Sequence, residues 1–384
     1  MAWSTSYDES TCGRLINLAQ GVPGSPPPSS LIQRLGSLTQ DTSTTQYGDL
    51  KGDVGLRKAF TKDLNKVYNT QIDWDNECLI TSGANLAFAT VVVGLAQQGD
   101  EIILPTPWYF NNEMQLTMLG IKTVPLRCQP PQFLPDPNEC RRLINDKTKA
   151  IVLVSPNNPT GAIYTNQLLK EFAQIAKEFK IALILDETYR EFLPNETKPH
   201  ELFENSDWKE YLIQLFSFSK SYSIPGYRLG SICCGVNFQT QLLKVLDCFQ
   251  ICPNRIGQQA VEWAIEGIRD WRKEITIEIL KRQELFKEII NQQCQQTNWK
   301  VCVGGGYFAY VQHPFKGISS MIVAERLAKQ VGLIVLPGTF FNSKFENVQD
   351  DQYLRFSIAN VSQETLKLVP DRLNKLCEMW DSLS

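Results

Sequence analysis

Lys220 lies in the run Ser217-Phe218-Ser219-Lys220-Ser221-Tyr222-Ser223-Ile224-Pro225-Gly226-Tyr227-Arg228-Leu229-Gly230. Apolar Ile213, Leu215, Phe216 and Phe218 lead into it. An amine at the end of such a stretch is partly desolvated, which favours its neutral, nucleophilic form and suits it to condense with a carbonyl. Arg228, eight residues on, can neutralise a phosphate. A lone lysine among serines is more often a solvated surface residue, so the reading depends on partners elsewhere. Asp186 ends the apolar run Leu183-Ile184-Leu185. As structure it is a good helix N-cap; as chemistry it is a carboxylate able to keep a ring nitrogen protonated. Thr81-Ser82-Gly83-Ala84-Asn85 reads as a strand-to-helix turn, whose free N–H groups and helix dipole suit a phosphate. Ser155-Pro156-Asn157-Asn158-Pro159-Thr160-Gly161 is a turn by composition and, alone, no more than that.

Elements that would gather these positions are legible from about Gly52 to Val236, where short apolar runs alternate with longer amphipathic ones. Strands are expected at Cys78–Ile80, Glu101–Leu104, Ala150–Val154, Ile181–Leu185, Leu212–Phe216 and Ser231–Val236. Helices are expected near Ser30–Leu38, from Asn85, after the Pro107 turn and over Asn166–Phe179. Alternation of this kind implies a mostly parallel, doubly wound α/β sheet. Gly83, Asn158, Asp186 and Lys220 each follow a strand end, and open α/β sheets bind ligands beyond the carboxyl ends of their strands. Helices dominate from Gln258 to about Gln293. Short strands then follow at Tyr307–Val311, Leu333–Leu336 and Leu354–Ile358, as in a smaller α+β domain. The expected organisation is an N-terminal segment, 1–40, packing with the small domain; a large domain, 41–285; and a small C-terminal domain, 286–384.

The 384 residues suffice for a large core, and 43% hydrophobic with 21% charged residues is ordinary for a soluble globular protein. A net charge of -3 gives no general electrostatic case for nucleic acid or an anionic membrane. The longest apolar run, Ala87–Ala96, is too short to span a bilayer, and Met1–Ser10 carries no basic-then-apolar signal pattern. The 11 cysteines, an odd number without CxxC spacing, point to reduced thiols and a cytoplasmic protein. Only two histidines exist, His200 and His313, so neither a His-based metal site nor a Ser-His-Asp triad is expected.

In combination, Asn158-Pro159-x-Gly161, Asp186-x-x-Tyr189 and Ser217-x-Ser219-Lys220 with Arg228 and Gly230 resemble the class I/II aminotransferases, among the fold type I enzymes dependent on pyridoxal 5′-phosphate (PLP). The resemblance runs from about Ile16 to about Val361. It implies that Lys220 carries PLP as a Schiff base and later moves the proton between Cα and C4′. Asp186 would hold the pyridinium, and Asn158 and Tyr189 would hydrogen-bond the ring's phenolic oxygen. Ser217, Arg228 and the Gly83, Ala84, Asn85 turn would bind the phosphate. Trp108, in Pro105-Thr106-Pro107-Trp108-Tyr109, is taken as the aromatic stacked on the ring, with Tyr109 as the alternative. Arg355 would clamp the substrate α-carboxylate, a task suited to a bidentate guanidinium. Gly21, in Ile16–Pro23, would approach the substrate closely. Tyr47 would reach the phosphate of a neighbouring subunit, which makes a homodimer with shared active sites the expected assembly.

Transamination of an L-amino acid with a 2-keto acid is the first functional expectation. The same electron sink also serves β- or γ-elimination and cyclisation. Asp49 at the expected pocket rim, with Asp8 and Glu9, could hold a cationic side chain such as a hydroxylated arginine; singly, each reads better as a solvated loop acid. Arg255 argues the other way, since a cation there could bind an acidic side chain or the phosphate. A PLP-binding regulatory module without turnover is a third reading, against which stand a fold expected to start by about Ile16 and the lack of a basic stretch suited to DNA.

Overall fold

The computed structural model describes residues 2–194, 198–343 and 351–383. Its strands, in chain order, are β1 (Ile16–Asn17), β2 (Cys78–Thr81), β3 (Glu101–Thr106), β4 (Lys122–Arg127), β5 (Thr148–Val154), β6 (Ala182–Asp186), β7 (Leu212–Ser217), β8 (Gly230–Cys234), β9 (Lys300–Gly305), β10 (Phe308–Gln312), β11 (Leu333–Ile334), β12 (Leu336–Pro337) and β13 (Tyr353–Ser357).

Seven of them form one sheet in the order β2-β8-β7-β6-β5-β3-β4. All pairings are parallel except those of β8, which runs antiparallel to both β2 and β7. Two antiparallel steps leave β2 parallel to β7, so the carboxyl ends of β2, β3, β5, β6 and β7 share one edge. β2, β3, β6 and β7 are buried at every position, as expected of strands covered by helices on both faces. The amphipathic helix Asn166–Phe179, N-capped by the Thr165 hydroxyl, returns the chain from β5 to β6 and buries Leu169, Phe172 and Ile175.

A smaller antiparallel sheet has the order β12-β13-β10-β9, and β1 pairs in parallel with β11. Ile16 and Leu18 thereby join the apolar cluster of this second sheet, together with Phe286, Phe308, Leu354 and Phe356. The helix Arg269–Gln293 joins the two parts; Trp271 packs against the core of the large sheet and Ile275 against that of the small one.

Some elements differ from expectation. β4 and β9 were not anticipated. β4 carries Pro125 and polar residues at both ends, Lys122 and Thr123 at one and Arg127 at the other, and it lies at the sheet edge, where a proline is tolerated and apolar alternation is weak. The strand expected at Leu333–Leu336 is two, β11 and β12, in different sheets.

Candidate active site

Topology delivers the functional side chains. In register, Val154 pairs with Asp186 and Asp186 with Leu215, so the turn after β5, the end of β6 and the start of the Lys220 turn lie side by side. The Ser217 hydroxyl accepts from the Ser219 N–H at 3.2 Å and caps the short helix Phe218–Ser221 that carries Lys220. Arg355 comes from β13, where it pairs with Tyr310 on β10 and Leu336 on β12. Asn158, Asp186, Tyr189, Ser217, Lys220, Arg228 and Arg355, with Gly21, Ala84 and Asn85, line one cavity of about 480 Å³.

Gly161 shows why two parts of the chain meet so closely here. Its φ is +76°, and an added Cβ would sit 2.4 Å from the Gly305 nitrogen. Only a glycine lets the Asn158-bearing turn pass against β9.

The Lys220 amine donates to the Gly21 carbonyl at 2.6 Å. Burial lowers its pKa to about 8, helped by Arg228 and Arg355 and opposed by Asp186. A sizeable fraction is therefore neutral near physiological pH. Asp186 is buried, which pushes its carboxyl above the usual range, while the Thr188 N–H at 2.9 Å and hydroxyl at 2.7 Å hold one oxygen. Glu187 does not line the cavity. It is buried among Tyr68, Gln214 and His200, accepting from the Tyr68 hydroxyl at 2.7 Å and from the Gln214 amide.

Arg355 is 4% exposed. It donates to Asn158 Oδ1 at 2.9 Å and to the Ala19 carbonyl, and its guanidinium lies 4.6 Å from the centre of the Phe308 ring. Its Nε has no hydrogen-bond partner among the described residues. Burial lowers its pKa to about 10, still well above neutrality. A desolvated, incompletely paired cation at a cavity wall is a receptor for a carboxylate.

Two expected residues stand elsewhere. Trp108 is absent from the cavity lining; its side chain is buried, the residue 7% exposed, within the apolar cluster of Phe88, Leu104 and Leu116, and its backbone N–H donates to the Phe341 carbonyl at 2.8 Å. Tyr109 lines the cavity instead. Successive side chains leave an extended segment in opposite directions, so one of this pair had to be core. Burial, with the Asp186 charge, pushes the Tyr109 phenol up to about 12 and keeps it neutral. Tyr47 is 80% exposed and lines a separate, open concavity of about 850 Å³ with Arg34, Arg255 and Trp263.

Sequence reasoning did not single out Thr188, Phe110, Val22 or Leu336, all in the cavity wall, nor Tyr307, whose hydroxyl donates to the Lys220 carbonyl at 3.2 Å. Thr188 was the most accessible of these, since Asp-x-Thr after a strand is an Asx-turn pattern.

Comparison with known proteins agrees with this geometry. The family model "Aminotransferase class I and II" matches residues 14–373. The chain belongs to the class I and II aminotransferases. It is 30% identical over 370 residues to the aromatic aminotransferase ISS1 of Arabidopsis thaliana, covering 94% of this chain and 89% of that one. It is also 30% identical over 372 residues to an aspartate aminotransferase of Pyrococcus horikoshii, covering 95% and 91%. The solved aromatic aminotransferase of Pyrococcus horikoshii OT3 superposes with a TM-score of 0.87 at 24% identity over 96% of each chain.

This aminotransferase is a PLP-dependent enzyme that passes an amino group between an amino acid and a 2-keto acid. Its residues fit the cofactor. Gly83 has φ +93°, and an added Cβ would lie 2.3 Å from Arg228 Nη2, so backbone and guanidinium converge as a phosphate cradle requires. Asp186 would offer a buried carboxylate to the pyridine nitrogen, and Tyr109 a ring face. Bound there, PLP supplies an electron sink that lowers the cost of removing the Cα proton. The Lys220 amine, partly neutral, can accept that proton and return it. Arg355 would orient the substrate by its carboxylate, and Tyr189 and Asn158 would donate to the ring's phenolic oxygen.

Proposed function

We propose that the enzyme transaminates amino acids with uncharged, apolar or aromatic side chains, working as a cytoplasmic homodimer. The observation that carries the substrate reading is the cation content of the cavity. Lys220, Arg228 and Arg355 are its lining cations among the described residues, and each already has a task with the cofactor or the α-carboxylate. A side-chain carboxylate would enter the protomer without a partner, at a cost of several kcal/mol. Val22, Phe110 and Leu336 offer an apolar wall instead. Relatives named for aromatic and for aspartate substrates both occur, and the wall favours the first class.

Asp49 lends no support to a cationic substrate or to the elimination and cyclisation readings. It pairs with Arg57 at 3.0 Å and does not line the cavity. Arg255 is likewise engaged, by Asp53 at 3.2 Å and the Ser43 carbonyl at 2.7 Å. The dimer is supported by Tyr47, free to reach a second copy, and by the open concavity around it. Among the described residues no cysteine is in a disulfide, which suits a reducing compartment.

The test is a donor panel with a common keto acid acceptor. Phenylalanine, leucine and methionine should exceed aspartate and glutamate in kcat/KM by about a hundredfold or more, the cost of one unpaired charged group. Aspartate or glutamate as the best donor would overturn the substrate reading.

A further inference from the structure

Gln250 lies in the turn that follows the helix Val236–Phe249, remote in sequence from every site residue. Its carboxamide nevertheless grips the phosphate-binding turn by two backbone groups. Oε1 accepts from the Ser82 N–H at 2.9 Å, and Nε2 donates to the Ile80 carbonyl at 3.1 Å. One planar amide thus bridges the last residues of β2 and the residue before Gly83. The bond fixes where the Ser82 N–H points, and with it the Thr81–Ser82 peptide plane from which the chain turns through Gly83 to the first N–H groups of the next helix, those of Ala84 and Asn85. Those are the groups a phosphate would use.

The same turn also holds the Tyr47 segment. Cys252 Sγ accepts from the Gly48 N–H at 3.3 Å. Gln258, one helical turn further, accepts from the Asp53 N–H at 2.7 Å and donates to the Pro253 carbonyl at 3.0 Å. The turn Gln250–Pro253 therefore braces both the phosphate turn and the segment that follows Tyr47.

We infer that Gln250 is a positioning residue for the PLP phosphate, acting through the Ser82 N–H and Ile80 carbonyl rather than by touching the cofactor. The inference rests on the assignment of Gly83–Asn85 and Arg228 to that phosphate. Loss of its two hydrogen bonds should let the peptide at Ser82 rotate and should weaken phosphate binding selectively. The groups assigned to the ring, Asp186 at the end of β6 and Tyr109 in the turn after β3, stand elsewhere and should be unaffected.

The experiment titrates apoenzyme with PLP and, separately, with pyridoxal, which lacks the phosphate, and reads binding from protein fluorescence. Gln250→Met keeps the side-chain volume and removes both hydrogen bonds; Gln250→Glu keeps an acceptor for Ser82 but sets a charge against the Ile80 carbonyl. In either variant, the dissociation constant for PLP should rise about tenfold, the scale of one or two hydrogen bonds, while that for pyridoxal stays within twofold of the parent. Circular dichroism identifies a variant that has not folded, and the other then decides. Equal weakening of both ligands would mean a general structural role and would overturn the proposal, as would unchanged PLP binding. If the parent itself bound PLP no better than pyridoxal, the phosphate-site assignment would fail instead.

Discussion

Arg355 on β13 donates to Asn158 Oδ1 at 2.9 Å, joining the small antiparallel sheet to the turn after β5 of the large one. The residue expected to hold the substrate carboxylate is thus tied to a residue expected to touch the cofactor ring. Arg355→Ala should weaken binding of α-carboxylate substrates by about 2–5 kcal/mol, because a carboxylate entering this wall loses its charged partner. Inhibition by a simple carboxylate, measured against parent and variant, checks this. Unchanged affinity would remove Arg355 from the site.

The lowered pKa of Lys220 sets a pH dependence. Its neutral form reacts with a carbonyl, and a depressed pKa makes that form available at lower pH. The rate at which apoenzyme takes up PLP should climb as pH rises toward about 8 and level off above it. Stopped-flow absorbance gives the profile. A rise that continues to the ordinary lysine range near 10.4 would mean that the amine is solvated.

Trp108 and Tyr109 should separate cleanly. Trp108→Ala opens the cluster around Phe88 and Leu116 and should cost about 3–5 kcal/mol of stability. Tyr109→Ala removes a ring from the cavity and should weaken PLP binding with a smaller change in the urea midpoint. Equilibrium binding and denaturation of both variants decide between them; the reverse pattern would restore Trp108 to the cofactor.

The sequence was most informative where one residue type had one plausible task. The strand ends that place Asp186 and Lys220 were legible because apolar runs are short and turn residues follow. What pattern could not supply was direction. Trp108 and Tyr109 are neighbours of similar chemistry, and only the path of the chain beyond β3 says which faces the cavity. Likewise Asp49 looked available until its partner Arg57 was placed, and Gln250 shows no local signal at all, since its role depends on a turn that β2 reaches from far away. β4 was hidden by Pro125, which reads as a strand breaker unless the strand is known to lie at an edge.

Glu187, buried beside Tyr68 and Gln214, sets a pH dependence of stability. Burial raises its pKa, but His200, Arg190 and Gln214 together outweigh this and hold the carboxyl below the ordinary glutamate value. A carboxylate with a depressed folded pKa contributes stability above its unfolded pKa and loses it as pH falls through the folded one. The contribution should be complete near neutrality and fade below about pH 4.3, the unperturbed glutamate value. Glu187→Ala should cost about 1–3 kcal/mol at neutral pH for each buried donor it strands, the Tyr68 hydroxyl and the Gln214 amide. Urea denaturation of parent and variant at neutral and acid pH measures both effects; a stability difference that does not shrink in acid would contradict the assignment.

The most direct measurement of the central claim is chemical. Holoenzyme reduced with borohydride fixes PLP irreversibly to whichever lysine bears it, and digestion followed by mass spectrometry locates the label. The account predicts the label on Lys220, with Lys220→Ala folded but unlabelled. A label on any other lysine, or labelling that persists in Lys220→Ala, would contradict it.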